Sequence, residues 1–184
     1  RAQRRFSAKD HAGALQDLDA ALDIRPLDYR AQHLRLVTLG ALGRARAARE
    51  DAEFLLARNL GQYEWQWRLW ADAGVAAAAL GQFEQAGREL RAYLARQPLA
   101  VREWQMLAGI YRRQGEKEKA GQASRNAQTA FLNRILKDHR EARRLEFLDA
   151  GEQASNLLRD LVARYPGYAP ARQDLERLTL PGAR

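Results

Sequence analysis

The chain has 184 residues, 46% of them apolar, no cysteine, and 31 basic against 23 acidic side chains for a formal charge of +8. The missing cysteines exclude a disulfide framework, thiolate metal sites and thiol chemistry, and they are equally compatible with reducing and oxidising compartments. The longest apolar run, residues 75–80, is six residues long, far short of the about 20 that a membrane-spanning helix needs.

Taken in order, residues 1–8 read as the end of a helix. Asp10 is placed to cap the next helix, which carries Ala14, Leu18 and Ala21 before Pro26 removes a donor and stops it. Residues 27–42 predict a further helix closed by Gly43, and residues 45–58 its partner, with Ala48 and Leu55 turned inward. Four additional residues, 63–66, then shift the register, and three aromatics, Tyr63, Trp65 and Trp67, gather there.

From residue 67 the chain repeats itself. Residues 67–100 align with 101–134 at a spacing of 34, which puts Trp70 on Trp104, Gly74 on Ala108, Gly81 on Gly115 and Ala86 on Ala120. Gly74 and Ala108 predict a close crossing of two helices, where only a hydrogen or a methyl group lets the backbones approach to roughly 8 Å. Gly81 and Gly115 follow the last apolar residue of their helices, where a left-handed cap favours glycine. Past Gly115 the punctuation thins until Gly151. Either one helix ends near Asn133 and another begins, or a single helix crosses the span. The break is the preferred reading, because Ala154, Leu158, Leu161 and Pro166 restore the 34-residue register relative to Ala120, Ser124, Ala127 and Leu132. A last amphipathic helix follows Pro166 and Gly167.

A bulky opening residue, a small residue a turn later, a corner glycine and an inner alanine together resemble the tetratricopeptide (TPR) repeat. The resemblance implies an all-α fold, a TPR-like α-solenoid of antiparallel hairpins in a right-handed superhelix. Residues 1–184 would form one solenoid: a half repeat at 1–28, repeats at 29–62, 67–100, 101–134 and 135–168, and a capping helix at 169–179. The first repeat is read as present only in its second half, so the chain is expected to be a segment of a larger protein.

Catalytic patterns are missing. His11, His33 and His139 fall in three different hairpins with no second His or Cys within a turn, and Ser7, Ser124 and Ser155 have no nearby His. No enzyme activity, cofactor or metal is therefore expected. Charge is segregated instead: residues 101–147 carry 11 basic and 6 acidic side chains, whereas residues 10–28 carry 1 and 5.

The resemblance also places a concave surface on the first helix of each hairpin. Carried over, its lining is Arg30, His33 and Val37, then Arg68 and Val75, then Arg102, Gln105, Gly109, Arg112 and Arg113, with Arg143 and Phe147 continuing the line. Such an arginine wall suits carboxylates and phosphates. Tyr63, Trp65 and Trp67 form a second candidate, an exposed aromatic platform, whereas Trp70 and Trp104 are expected to pack. The family's clamp for acidic C-terminal peptides uses Lys and Asn, which this sequence replaces with Arg, Gln and Gly.

The expected function is a non-catalytic scaffold that recruits another protein, either through an acidic segment or as a polysaccharide-modifying enzyme. The sequence is similar to periplasmic helical repeats of exopolysaccharide-export systems and to envelope lipoproteins of secretion and pilus assembly, and this resemblance implies a periplasmic rather than a cytoplasmic site. The alternative is an anionic polymer, RNA or an acidic polysaccharide, along the arginine wall; protein is preferred over nucleic acid.

Overall fold

A computed structural model describes residues 1–58 and 66–179. Among the described residues there are ten helices and no strand: α1 (Ala2–Ser7), α2 (His11–Ile24), α3 (Tyr29–Ala41), α4 (Ala45–Leu56), α5 (Gln66–Ala79), α6 (Phe83–Arg96), α7 (Val101–Arg113), α8 (Lys117–Phe147), α9 (Gly151–Arg164) and α10 (Ala169–Thr179). Tyr63 and Trp65 lie outside the described residues. None of these helices is long and apolar enough to cross a membrane.

The helix ends follow from local chemistry. Asp10 and Asp28 accept hydrogen bonds from the backbone N–H groups of Gly13 and Ala31, at 2.9 and 3.0 Å, satisfying donors that the first turn leaves unpaired. Gly43, Gly81 and Gly115 close α3, α5 and α7 at φ of 71°, 76° and 77°, a left-handed conformation that a side chain would strain. At Gly74 an added Cβ would stand 2.9 Å from Leu90 Cγ and 3.3 Å from the Ala86 carbonyl oxygen, so α5 and α6 cross there at a distance that glycine alone permits.

The chain divides into two compact units, Arg1–Asn126 and Ala127–Arg184. In the first, each helix from α1 to α6 packs on its successor, and α3 also touches α5. Its core is a series of local clusters. Leu15, Leu39, Ala48 and Ala76 form one, Leu36, Ala52, Leu55, Leu69 and Ala73 a second, and a third surrounds Leu90, Leu107 and Tyr111. Trp70 and Trp104 pack against that third cluster. Each hairpin thus buries its stripe against its neighbours, and stability is close to a sum of adjacent terms. In the second unit Ala142 of α8, Leu158 and Leu161 of α9, and Ala171 of α10 form the core. His139 is anchored there, with Nδ1 3.0 Å from the Tyr168 hydroxyl and Nε2 2.9 Å from Asp174.

The expected break near Asn133 does not occur: α8 is one helix of 31 residues. The reason lies in the residues around that point. No Pro or Gly occurs between Gly121 and Gly151, so no residue removes a backbone bond, and Asn133 by itself does not impose the left-handed cap that glycine would. Leu132, which the repeat register aligns with Pro98 and Pro166, is 58% exposed.

Candidate functional site

A groove of about 330 Å³ opens in the first unit among α3, α4, α5 and α7. Its floor is apolar, built from Val37 and Gly40 of α3, Val75, Ala76 and Ala79 of α5, and Met106 of α7. These residues recur every three or four positions along their helices, so each presents one face to the same space. Small side chains on α5 keep the floor low. Ala76 is nearly buried and Val75 half-buried.

One rim is charged. Arg68 donates through Nη1 to Glu103 Oε1 at 2.9 Å, and its Nε lies 3.3 Å from Asp72 Oδ1. His33 Nε2 stands 3.0 Å from the other Asp72 oxygen. Burial works against the charge on Arg68, but Asp72, Tyr93 and Glu103 outweigh it, and its pKa stands above the ordinary value. Glu103 is only 6% exposed. Arg102, by contrast, is exposed and has no ion pair among the described residues.

Of the residues carried over from the repeat pattern, Val37, Arg68, Val75 and Arg102 line this groove, and His33 is tied to its rim through Asp72. Arg30, Gln105, Arg112 and Arg113 are exposed and stand outside its lining. The Arg113 guanidinium lies 5.5 Å from the centre of the Phe83 ring. Arg143 and Phe147 belong to the second unit, where Arg143 Nε is 4.0 Å from Asp174 and Phe147 is 89% exposed. Of the three aromatics proposed as a platform, Trp67 alone is described; it is half-exposed, with the Arg96 guanidinium 5.6 Å from its ring centre.

Within the arginine wall expected from sequence, Arg68 is held by Asp72 and Glu103, which balance its charge. The Arg68 to Asp72 spacing of four residues was a readable signal, because such pairs face each other on a helix. The contact to Glu103 crosses two hairpins. A further missed feature is the pair formed by Arg49 of α4 and Glu89 of α6, 5% and 4% exposed. Arg49 Nη1 donates to both Glu89 oxygens at 2.8 Å, and its Nε donates to Glu53 at 2.9 Å. Among the described residues no group of three or more metal-ligating side chains converges.

No protein-family model matches the chain, and no curated protein matches it. Solved structures do. A MamA structure, 41-end, from Desulfovibrio magneticus RS-1 superposes with a TM-score of 0.65 at 16% identity, over 72% of this chain and 72% of that one. A thermophilic TPR protein of Thermus thermophilus gives 0.58 at 19% identity over 98% and 96%. Nearly identical TPR-like repeats of a putative kinesin light chain from Podosopora anserina give 0.61 at 18% identity over 89% and 91%. At these identities the likeness speaks for the fold: the chain is an all-helical, TPR-like α-solenoid.

Proposed function

We propose that the chain is a non-catalytic scaffold that holds a segment of another protein in the groove among α3, α5 and α7. The carrying observation is the combination at one place of an apolar floor and, at its edge, the exposed guanidinium of Arg102, which has no ion pair among the described residues. Together they suit a segment whose apolar side chains enter the groove while a neighbouring carboxylate meets Arg102. The repeat partition 29–62, 67–100, 101–134 and 135–168, with a cap at 169–179, belongs to this reading, with α8 shared between the third and fourth of these repeats. A place in the envelope, in exopolysaccharide export or in secretion and pilus assembly, draws no support from the structural neighbours and rests on the texture of the sequence.

The test is selection of a displayed random-peptide library on the full chain, followed by titration of the selected peptides against variants. Val75→Asp puts a carboxylate into the apolar floor and is expected to weaken binding by about 100-fold, the effect of disrupting a buried anchor. Arg102→Ala is expected to cost about tenfold, and selectively for peptides that carry an acid. Helical content unchanged by circular dichroism secures the comparison. Peptides that bind both variants as tightly as the parent chain would place the site elsewhere.

A further inference from the structure

The groove has two chemically different ends. Arg68, Asp72, Arg102 and Glu103 stand at one, and Gly40, Ala41, Ala45, Ala76 and Ala79 line the other. His33 of α3 meets Asp72 of α5, and seven residues further along the same two helices come Gly40 and Ala79. At the rise of an α-helix the two ends are therefore about 10 Å apart. None of the five residues at the second end carries more than a methyl group, and Gly40, Ala41 and Ala79 are exposed.

Gly40 is the informative residue. Within a helix glycine is less stable than alanine, because it gives up more backbone freedom on folding. The other glycines inside helices have close neighbours. A Cβ at Gly13 or Gly74 would stand 2.3 Å from Asp10 or 2.9 Å from Leu90, and at Gly87, Gly109 and Gly121 it would lie 3.6, 3.9 and 3.6 Å from an arginine. At Gly40 it would meet nothing within 4 Å. Nor does Gly40 end its helix, since Gly43, at φ 71°, supplies the left-handed cap of α3. A side chain at position 40 would fill only the groove that this glycine lines.

We infer that this end of the groove is an anchor pocket for one large apolar side chain of the bound segment, and that Gly40 sets the size it admits. The inference rests on the groove reading proposed above. The anchor enters among α3, α4 and α5, where the small residues leave room, while an acid on the same segment reaches Arg102 at the other end. Burial of the anchor supplies affinity, and its distance from the acid fixes the register of the segment.

Peptides selected on the full chain test this through two substitutions at one position. Gly40→Ala and Gly40→Leu both raise helix propensity, so both chains are expected to melt at or above the parent temperature. Gly40→Leu puts a side chain into the pocket and is expected to weaken the selected peptides by about 30-fold, the loss of one buried anchor. Gly40→Ala is expected to fall between it and the parent. Selection repeated on the Gly40→Leu chain is expected to return peptides that keep the acid and replace the anchor by Gly, Ala or Ser. Peptides weakened by Val75→Asp yet untouched by Gly40→Leu would leave the groove in place and overturn the anchor pocket, as would an unchanged anchor in the second selection. A Gly40→Ala chain that melts well below the parent would assign the glycine to the fold and overturn the inference too. A parent chain that selects no peptide, or peptides indifferent to both Val75→Asp and Gly40→Leu, would remove the groove reading and the anchor with it.

Discussion

Arg49 shows what a single side chain decides in this fold. Its guanidinium is held away from water by both oxygens of Glu89 and by Glu53, so the pair costs desolvation and returns it through short, charge-assisted bonds. Removing one member strands the other. Arg49→Ala is expected to lower the unfolding free energy by about 3–5 kcal/mol, whereas Arg49→Met with Glu89→Leu costs far less; urea titration of the three proteins measures both. Asp51 behaves oppositely. Its folded carboxyl titrates at about 6 instead of 3.8, so between those values the folded state holds its proton more tightly than the unfolded chain does. Its contribution is therefore present at low pH and is lost as pH rises through that window. Asp51→Asn is expected to flatten the decline by about 1 kcal/mol, the shift being discounted for the solvent that reaches the group. Melting temperatures at pH 4 and pH 7 read the difference.

At the scale of the element, α8 separates what periodicity can and cannot say. The 34-residue register carried Ala154, Leu158 and Leu161 correctly to the core, since all three are 1% exposed or less. It also called for an interruption near Asn133 that local chemistry does not supply, and an α-helix continues wherever nothing stops it. Asn133→Pro makes the difference measurable. In a continuous helix it removes one backbone bond and clashes with the preceding turn, at a cost of about 3 kcal/mol or more and with a loss of helical dichroism. A natural corner would tolerate it. Several other helix ends were legible because each is written in one or two residues: Asp10 as a cap, and Gly43, Gly81 and Gly115 as left-handed stops. Asp28 caps α3, which begins at Tyr29, two residues after the expected start at 27, and this cap was not read from the sequence.

For the whole molecule the charge balance matters more than the charge. A net of +8 and a row of arginines invite an anionic polymer, but Arg68 is already held by Asp72 and Glu103. Few phosphates or sugar carboxylates would then be neutralised in the groove. Single-stranded RNA is expected to bind weakly, with a log–log salt slope well below the about 0.7 per phosphate that a fully engaged arginine row would give for each contact. A steep slope in a filter-binding or fluorescence titration would restore the polymer reading. A groove peptide anchored by Val75 and Met106 should bind with only slight dependence on salt.

The repeat spacing, the corner glycines and the small residues at helix crossings determined the class of this protein from sequence, because each acts within one hairpin and over a few residues. The tertiary structure decided what depends on groups far apart in the chain. Arg68 and Glu103 are 35 residues apart and Arg49 and Glu89 are 40 apart, and no local pattern brings such charges to bonding distance. The same holds for the groove. Its lining is a sum of faces from four helices, and a face points into a common space only when the hairpins have stacked.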